Sequence, residues 1–183
     1  MKYVIIAILL AFSASCAPKD THVSDKVPDG YEHLEKRVKA DEAAKMIRIG
    51  QTGAVFYYDT KSWSVKSESD TVIDFSARRF TNAAIFIYDA AMPMNDIPKK
   101  LAQHYAMKEP RLMESEFVNV NNAVVMHTVM EGIINRREVS IISYGFSENS
   151  HTVIAHCFIY TSMLRNETRQ EIMEFLNGLV ATI

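Results

Sequence analysis

Residues 123–160 read AVVMHTVMEGIINRREVSIISYGFSENSHTVIAHCFIY, and this stretch decides the fold. Apolar and small polar side chains recur there at every second position: Val124, Met126, Thr128 and Met130; Val139, Ile141 and Ser143; Thr152, Ile154, His156 and Phe158. Residues i, i+2 and i+4 of a strand share one face, so this period predicts strands rather than helix. Turn residues fall between the runs: Asn121-Asn122 ahead of the first, Asn135-Arg136 between two of them, and Glu148-Asn149-Ser150 before the last. The stretch reads as an antiparallel meander.

After it, Asn166 is placed to cap a helix carrying Ile172, Phe175, Leu176 and Leu179 at i, i+3, i+4 and i+7. Such a short helix needs a surface to cover, and the meander supplies one. Before it, Leu112 to Val120 is a strand of mixed polarity. Asn95 or Asp96 caps a helix with Pro98 in its first turn and Ile97, Leu101, His104 and Tyr105 on one face; it ends before Pro110. Val72 to Phe80 and Ala83 to Asp89 form a strand pair about Thr81-Asn82. Val55 to Asp59 is a short aromatic strand followed by the only tryptophan, Trp63. Tyr31 to Ile49 is read as helix, with Gly50 as its C-terminal cap. The expected class is α+β: a mostly antiparallel sheet of about five to seven strands covered by a short helix and a C-terminal helix.

The N-terminus, MKYVIIAILLAFSASC, has a positive Lys2, an apolar run from Tyr3 to Phe12 and the small residues Ser13-Ala14-Ser15. A membrane-spanning helix needs about 20 apolar residues, so this run is an export leader and not a span. Ending the small residues on a cysteine resembles the lipobox of bacterial lipoproteins, with Ala14 and Ser15 matching and Ser13 standing where leucine is usual. The resemblance makes Cys16 the lipidated first residue of the mature chain. Ala17 to Gly30, polar with Pro18 and Pro28, reads as a flexible tether. The expected organisation is a signal peptide over 1–15, a lipidated N-terminus, tether and helix over 16–49, and a single globular domain over 50–183.

A formal net charge of -2 with no block of like charge disfavours a nucleic-acid partner. The expected partners are the membrane, through the lipid, and a protein. Removing the leader takes away one basic residue, Lys2, and no acidic one.

The order of features resembles a known group. An aromatic strand (Phe56-Tyr57-Tyr58) runs into a tryptophan-containing turn (Trp63-Ser64-Val65), and a strand with Ala84-Ile85-Phe86-Ile87 precedes a short helix. A three-strand meander and a helix ending Phe175-Leu176-Asn177-Gly178-Leu179 close the chain. This layout is similar to the PsbP/Mog1-like fold, which includes small bacterial lipoproteins of the DcrB type, over about residues 53–181. The resemblance implies a mostly non-catalytic protein with no shared catalytic set, so it assigns no functional residue.

The residues themselves offer few sites. His127, His151 and His156 lie on the meander, but His151 and His156 are an odd number apart and point to opposite sides. Met92-Pro93-Met94 could supply soft thioethers to Cu(I), while methionine is equally a core gap-filler. Cys157, between His156 and Phe158 on a strand, reads as a buried thiol. Glu114 and Glu116 share a strand face as solvated carboxylates. Glycine-rich phosphate loops and nucleophile elbows are absent from the sequence. Val124, Met126, Tyr57, Tyr58, Tyr88 and Phe86 are core candidates that could also line a groove for a lipid or apolar peptide.

The expectation is an envelope lipoprotein, exported and membrane-anchored, facing the periplasm or the cell exterior. Its domain binds a protein or an apolar ligand and is not an enzyme; no catalytic residue, metal ligand or cofactor is assigned. The alternatives are a copper or small-ligand carrier, and a hydrolase whose site is assembled from distant residues. Lipidation has a direct test. Mass spectrometry of the mature protein should show acylated Cys16, and Cys16→Ala should leave the membrane fraction, since two or more acyl chains make such anchoring stable. A Cys16→Ala variant that stays on membranes through a high-salt wash would show that the anchor lies elsewhere.

Overall fold

A computed structural model describes residues 44–77, 82–121, 123–148 and 150–180. Cys16, the tether and most of the expected N-terminal helix lie outside the described residues. Ten strands and two helices follow in chain order: β1 (Ala44–Arg48), β2 (Val55–Asp59), β3 (Trp63–Glu68), β4 (Val72–Ala77), β5 (Asn82–Tyr88), α1 (Ile97–His104), β6 (Lys108–Val120), β7 (Ala123–Ile134), β8 (Arg137–Glu148), β9 (His151–Tyr160), α2 (Asn166–Leu176) and β10 (Leu179–Val180). The class is α+β, as the patterning predicts.

Seven strands form one sheet in the order β3-β4-β5-β9-β8-β7-β6, antiparallel throughout. The expected meander is its β7-β8-β9 portion. Ile134 pairs with Arg137 across the β7–β8 turn, where Asn135 (φ 50°) and Arg136 (φ 65°) are both left-handed. Positive φ at both central positions belongs to the two-residue hairpin turn whose twist matches the strands. A second, small sheet runs β1-β2-β10, with β2 in the centre.

The large sheet is apolar on both faces. On β9, Val153, Ala155 and Cys157 point to one side and Ile154 and His156 to the other, and all five are fully buried. The first face presents Phe75, Ile85, Ile142, Tyr144 and Val153 and is closed by α2 and the small sheet, with Ile49, Phe56, Ile172, Leu176 and Leu179 in one core. The second face presents Phe86, Met126, Met130, Ile141 and Ile154 and is closed by α1 through Ile97, Leu101 and Ala102. Buried hydroxyls on the sheet are paired: Thr128 Oγ1 lies 2.6 Å from Ser143 Oγ, and Thr152 Oγ1 donates to the Ala90 carbonyl at 2.8 Å.

Two local expectations are corrected. Ala44–Arg48, the described end of the expected helix at Tyr31–Ile49, is strand β1, with Ile47 opposite Phe56 and the following Ile49 fully buried. Pairing with β2 overrides local helix preference there, so the domain takes in residues before Gly50. Leu179 leaves α2 and joins β10, because the chain passes against β2 at Gly178. An added Cβ at Gly178 would lie 1.9 Å from the Tyr57 carbonyl oxygen, and Tyr57 N–H donates to the Gly178 carbonyl at 2.9 Å. Phe175 finds its aromatic partners beyond the meander. It stacks on Trp63 with ring centroids 3.9 Å apart and meets Phe56 at 4.8 Å and Phe75 at 5.2 Å, all outside the meander. Helix α2 rests on β8 and β9, while its aromatic anchor reaches back to β2, β3 and β4.

Truncating a buried phenylalanine typically costs about 3–5 kcal/mol. Phe175→Ala should therefore lower the melting temperature sharply. Glu174→Ala should leave it nearly unchanged, since Glu174 is exposed and its carboxylate only accepts from Gln170 at 3.1 Å. Small, equal effects in thermal unfolding would contradict this aromatic seat.

Candidate functional site

Helix α1 borders a groove in the surface of the described residues. It is seated on β8, where glycine allows close approach: an added Cβ at Gly145 would lie 2.5 Å from Ile97 Cδ1. Its C-terminus closes in a Schellman pattern, with Ala106 N–H donating to the Gln103 carbonyl at 3.1 Å and Met107 N–H to the Ala102 carbonyl at 2.8 Å. The left-handed position of that motif is held by Ala106 (φ 47°), where glycine is usual. The reversal directs Met107 back over β7 and leads into β6.

Between α1 and β6 this leaves an apolar groove of about 400 Å³. Pro98, Ala102 and Ala106 form its helix wall, Met107 and Met130 line its inner part, and Pro110 and Leu112 form its β6 wall. Its polar lining is Lys99 and Gln103. The groove is bordered by compact residues, Pro98 and Ala102 on α1 and Ala106 in the turn that follows it. Leu112 is 52% exposed and its neighbour Met113 54%, unusual for large apolar side chains on a strand. The size falls within the range of small-molecule sites.

β6 is an edge strand of the large sheet, and its first half is blunted. Pro110 has no N–H, the register slips between Lys108 and Arg111 and again between Leu112 and Glu114, and the strand carries the charged residues Lys108, Glu109, Arg111, Glu114 and Glu116. Such features oppose addition of another strand. The groove beside this edge is therefore better suited to a compact apolar ligand than to a peptide in extended pairing.

The opposite flank of α1 is anchored by a buried polar pair. Tyr105 Oη lies 2.6 Å from His156 Nε2, and His156 is wholly inaccessible. In the tautomer with Nδ1–H toward the Ile154 carbonyl 3.5 Å away, Nε2 accepts a hydrogen bond from the Tyr105 hydroxyl. Phe86 packs on both His156 (4.5 Å) and His104 (4.2 Å). Burial lowers the His156 pKa to about 4, only partly opposed by the Ile154 hydrogen bond, and burial raises that of Tyr105. The ring is neutral at ordinary pH.

The other candidate residues separate from one another. His127 lies on the first face of the sheet, where Nδ1 donates to Glu116 at 3.1 Å and the ring meets Tyr144 edge-on. Its Nε2 is buried without a hydrogen-bond partner, and burial holds its pKa down. A carboxylate-oriented histidine resembles a general base, yet its free nitrogen faces protein rather than solvent. Glu114 pairs with Arg169 of α2, which lowers the carboxyl pKa. His151 approaches Asp89 at 3.8 Å. Cys157 is buried in the first core and its thiol pKa is pushed well up by burial. Met92 and Met94 pack against the second core, with Met92 N–H directed at Ser147 and Thr152 hydroxyls, both 3.1 Å away. Among the described residues, no three His, Cys, Asp or Glu side chains are grouped to hold a metal ion. No helix among them is long and apolar enough to cross a membrane.

Of the groove candidates read from sequence, Tyr58, Phe86 and Met126 are core, and Tyr57, Val124 and Tyr88 are half-buried; none lines the groove. The lining residues escaped that reading. Their signal is the set of compact residues Pro98, Ala102 and Ala106, in α1 and the turn after it.

The described fold has counterparts among solved structures. It is similar to the solution structure of cyanobacterial PsbP (CyanoP) from Synechocystis sp. PCC 6803, with a TM-score of 0.54 and 11% identity over 79% of this chain and 96% of that one. A crystal structure from Bacteroides thetaiotaomicron VPI-5482 gives a TM-score of 0.50 and 8% identity, covering 77% of this chain and 49% of that one. A variant of Mog1 gives 0.49 and 8%, covering 74% of this chain and 86% of that one. No family model and no curated protein matches the sequence. The likeness to cyanobacterial PsbP shows the expected PsbP/Mog1-like fold, and at this identity it concerns fold alone.

The buried histidine gives a signed pH dependence. Its folded pKa of about 4 lies below the ordinary value near 6.5, so between these values the unfolded chain binds the extra proton. Its contribution is intact above about pH 6.5 and is lost as pH falls toward 4, at up to about 1.4 kcal/mol per pH unit. Denaturant unfolding at pH 7.5, 6 and 5 should show a steeper loss for the wild type than for His156→Phe, by close to one proton. Equal slopes would mean that the ring is not held neutral.

Proposed function

We propose that this chain is a bacterial envelope lipoprotein whose α+β domain is a non-catalytic binding module, with the groove between α1 and β6 as the site for an apolar ligand. The observation that carries the site is that groove, about 400 Å³ with prolines, alanines, methionines and Leu112 around it. Apolar surface of this kind gains roughly 25 cal/mol per Å² when covered, and the bluntness of β6 favours a compact occupant. The leader ending in Cys16 and the tether after it support the envelope location. The non-catalytic reading is supported by side chains engaged with one another: Tyr105 with His156, and Glu114 with Arg169.

A neutral fluorescent probe, N-phenyl-1-naphthylamine, should bind the purified domain with one site. Leu112→Asp, which places a carboxylate in the groove wall at an exposed position, should weaken that binding by about tenfold or more while leaving the melting temperature unchanged. Probe binding that survives Leu112→Asp, or is absent from the wild type, would overturn the groove assignment.

A further inference from the structure

The lining of the groove is asymmetric in charge as well as in polarity. Its one charged side chain is Lys99, in the first turn of α1 and exposed; Gln103, one turn further on, supplies an amide. Among the described residues, no carboxylate contributes to the lining. On the β6 wall, Arg111 is engaged with Glu131 at 3.2 Å, and neither Lys108 nor Glu109 belongs to the lining. The cationic character of the groove therefore comes from the helix wall. Lys99 and Gln103 are one turn apart on α1, so an ammonium and an amide donor border the apolar trough.

An apolar trough with a cation and a donor on one wall matches a ligand that is itself divided: a hydrocarbon chain ending in an anion. We propose that the groove takes a single-chain anionic amphiphile, with the chain over Met107, Met130 and Leu112 and its acidic head at Lys99 and Gln103. This rests on the groove reading above and adds to it the identity of the head group. A neutral amphiphile would fill the trough but leave Lys99 without a partner. A small anion would meet Lys99 without the apolar contact, and an exposed single ion pair is weak by itself. The two parts together set the preference. The large exposed surface of Leu112 gives the chain an open side by which to enter, so binding requires no opening of the core.

Sodium laurate, 1-dodecanol and sodium acetate distinguish these cases when each displaces N-phenyl-1-naphthylamine from the full-length mature protein at pH 7.5, with laurate kept below its micellar concentration. Laurate should bind about three- to fivefold more tightly than 1-dodecanol, and acetate should displace nothing. Lys99→Glu should abolish the advantage of laurate and leave 1-dodecanol within about twofold of its wild-type affinity. Lys100→Glu, on the opposite flank with its ammonium over the Tyr88 ring, should leave the laurate preference in place. Equal affinities for laurate and 1-dodecanol, or indifference of laurate to Lys99→Glu, would overturn the head-group assignment while the apolar groove stands. If an apolar nonapeptide displaces the probe and laurate does not, the occupant is a peptide and the proposal fails. If the probe itself does not bind, the groove reading fails with it.

Discussion

The structure depends on a sheet that must be dry on both faces. Strand β9 carries Val153, Ala155 and Cys157 on one side and Ile154 and His156 on the other, all without solvent access. A two-faced apolar sheet cannot be covered by one layer. One side therefore draws in α2 with the small β1-β2-β10 sheet, and the other draws in α1. These covers are short, and each relies on a device that brings backbone unusually close. Gly178 lets the chain pass against the Tyr57 carbonyl, and Gly145 lets Ile97 settle onto β8.

The two covers differ in completeness, and this produces the surface. On the first face, Phe175 sits among Trp63, Phe56 and Phe75, and Asn121 ties the β6–β7 turn to the end of α2 by donating to the Asn177 and Leu179 carbonyls at 2.8 Å each. That side is closed by aromatic packing and backbone hydrogen bonds together. On the second face, α1 has eight residues against a 13-residue β6, and its β6-facing flank lacks bulk. The groove is the space that a short, small-residued helix cannot fill.

Much of this was legible in the sequence because period-two patterning is a local signal. Val124 to Met130, Val139 to Ser143 and Thr152 to Phe158 lie on the predicted strands, and the three sets share the second face. Asn135-Arg136 forms the predicted turn. What stayed hidden was set by contacts distant in sequence. Ala44–Arg48 has no strong pattern of its own and becomes a strand through β2. Phe175 meets aromatics about 100–120 residues earlier in the chain, which no helix periodicity encodes. The groove was hidden for the opposite reason: it is marked by missing bulk at Ala102 and Ala106, and sequence patterns are read from the side chains that are present. His156 was read as one of three scattered histidines, because the tyrosine that satisfies it lies 51 residues away.

The same helix carries the groove on one flank and the His156 contact on the other, and this sets how the site is held. An isolated helix of eight residues has little stability in water. Its position over the sheet is therefore fixed by tertiary contacts: Ile97 and Leu101 beneath it, Met107 beyond its end, and the Tyr105–His156 hydrogen bond beside it. The groove wall shares each of these supports. Ala106, in a left-handed conformation that costs a non-glycine residue roughly 1 kcal/mol, is part of the turn that brings Met107 over Gly132. That conformation persists because the packing around it is well determined: Met107 is buried in the second core and its N–H is held by Ala102. A substitution at Tyr105 or His156 thus acts on the groove without touching it, through the one short element whose two flanks they share.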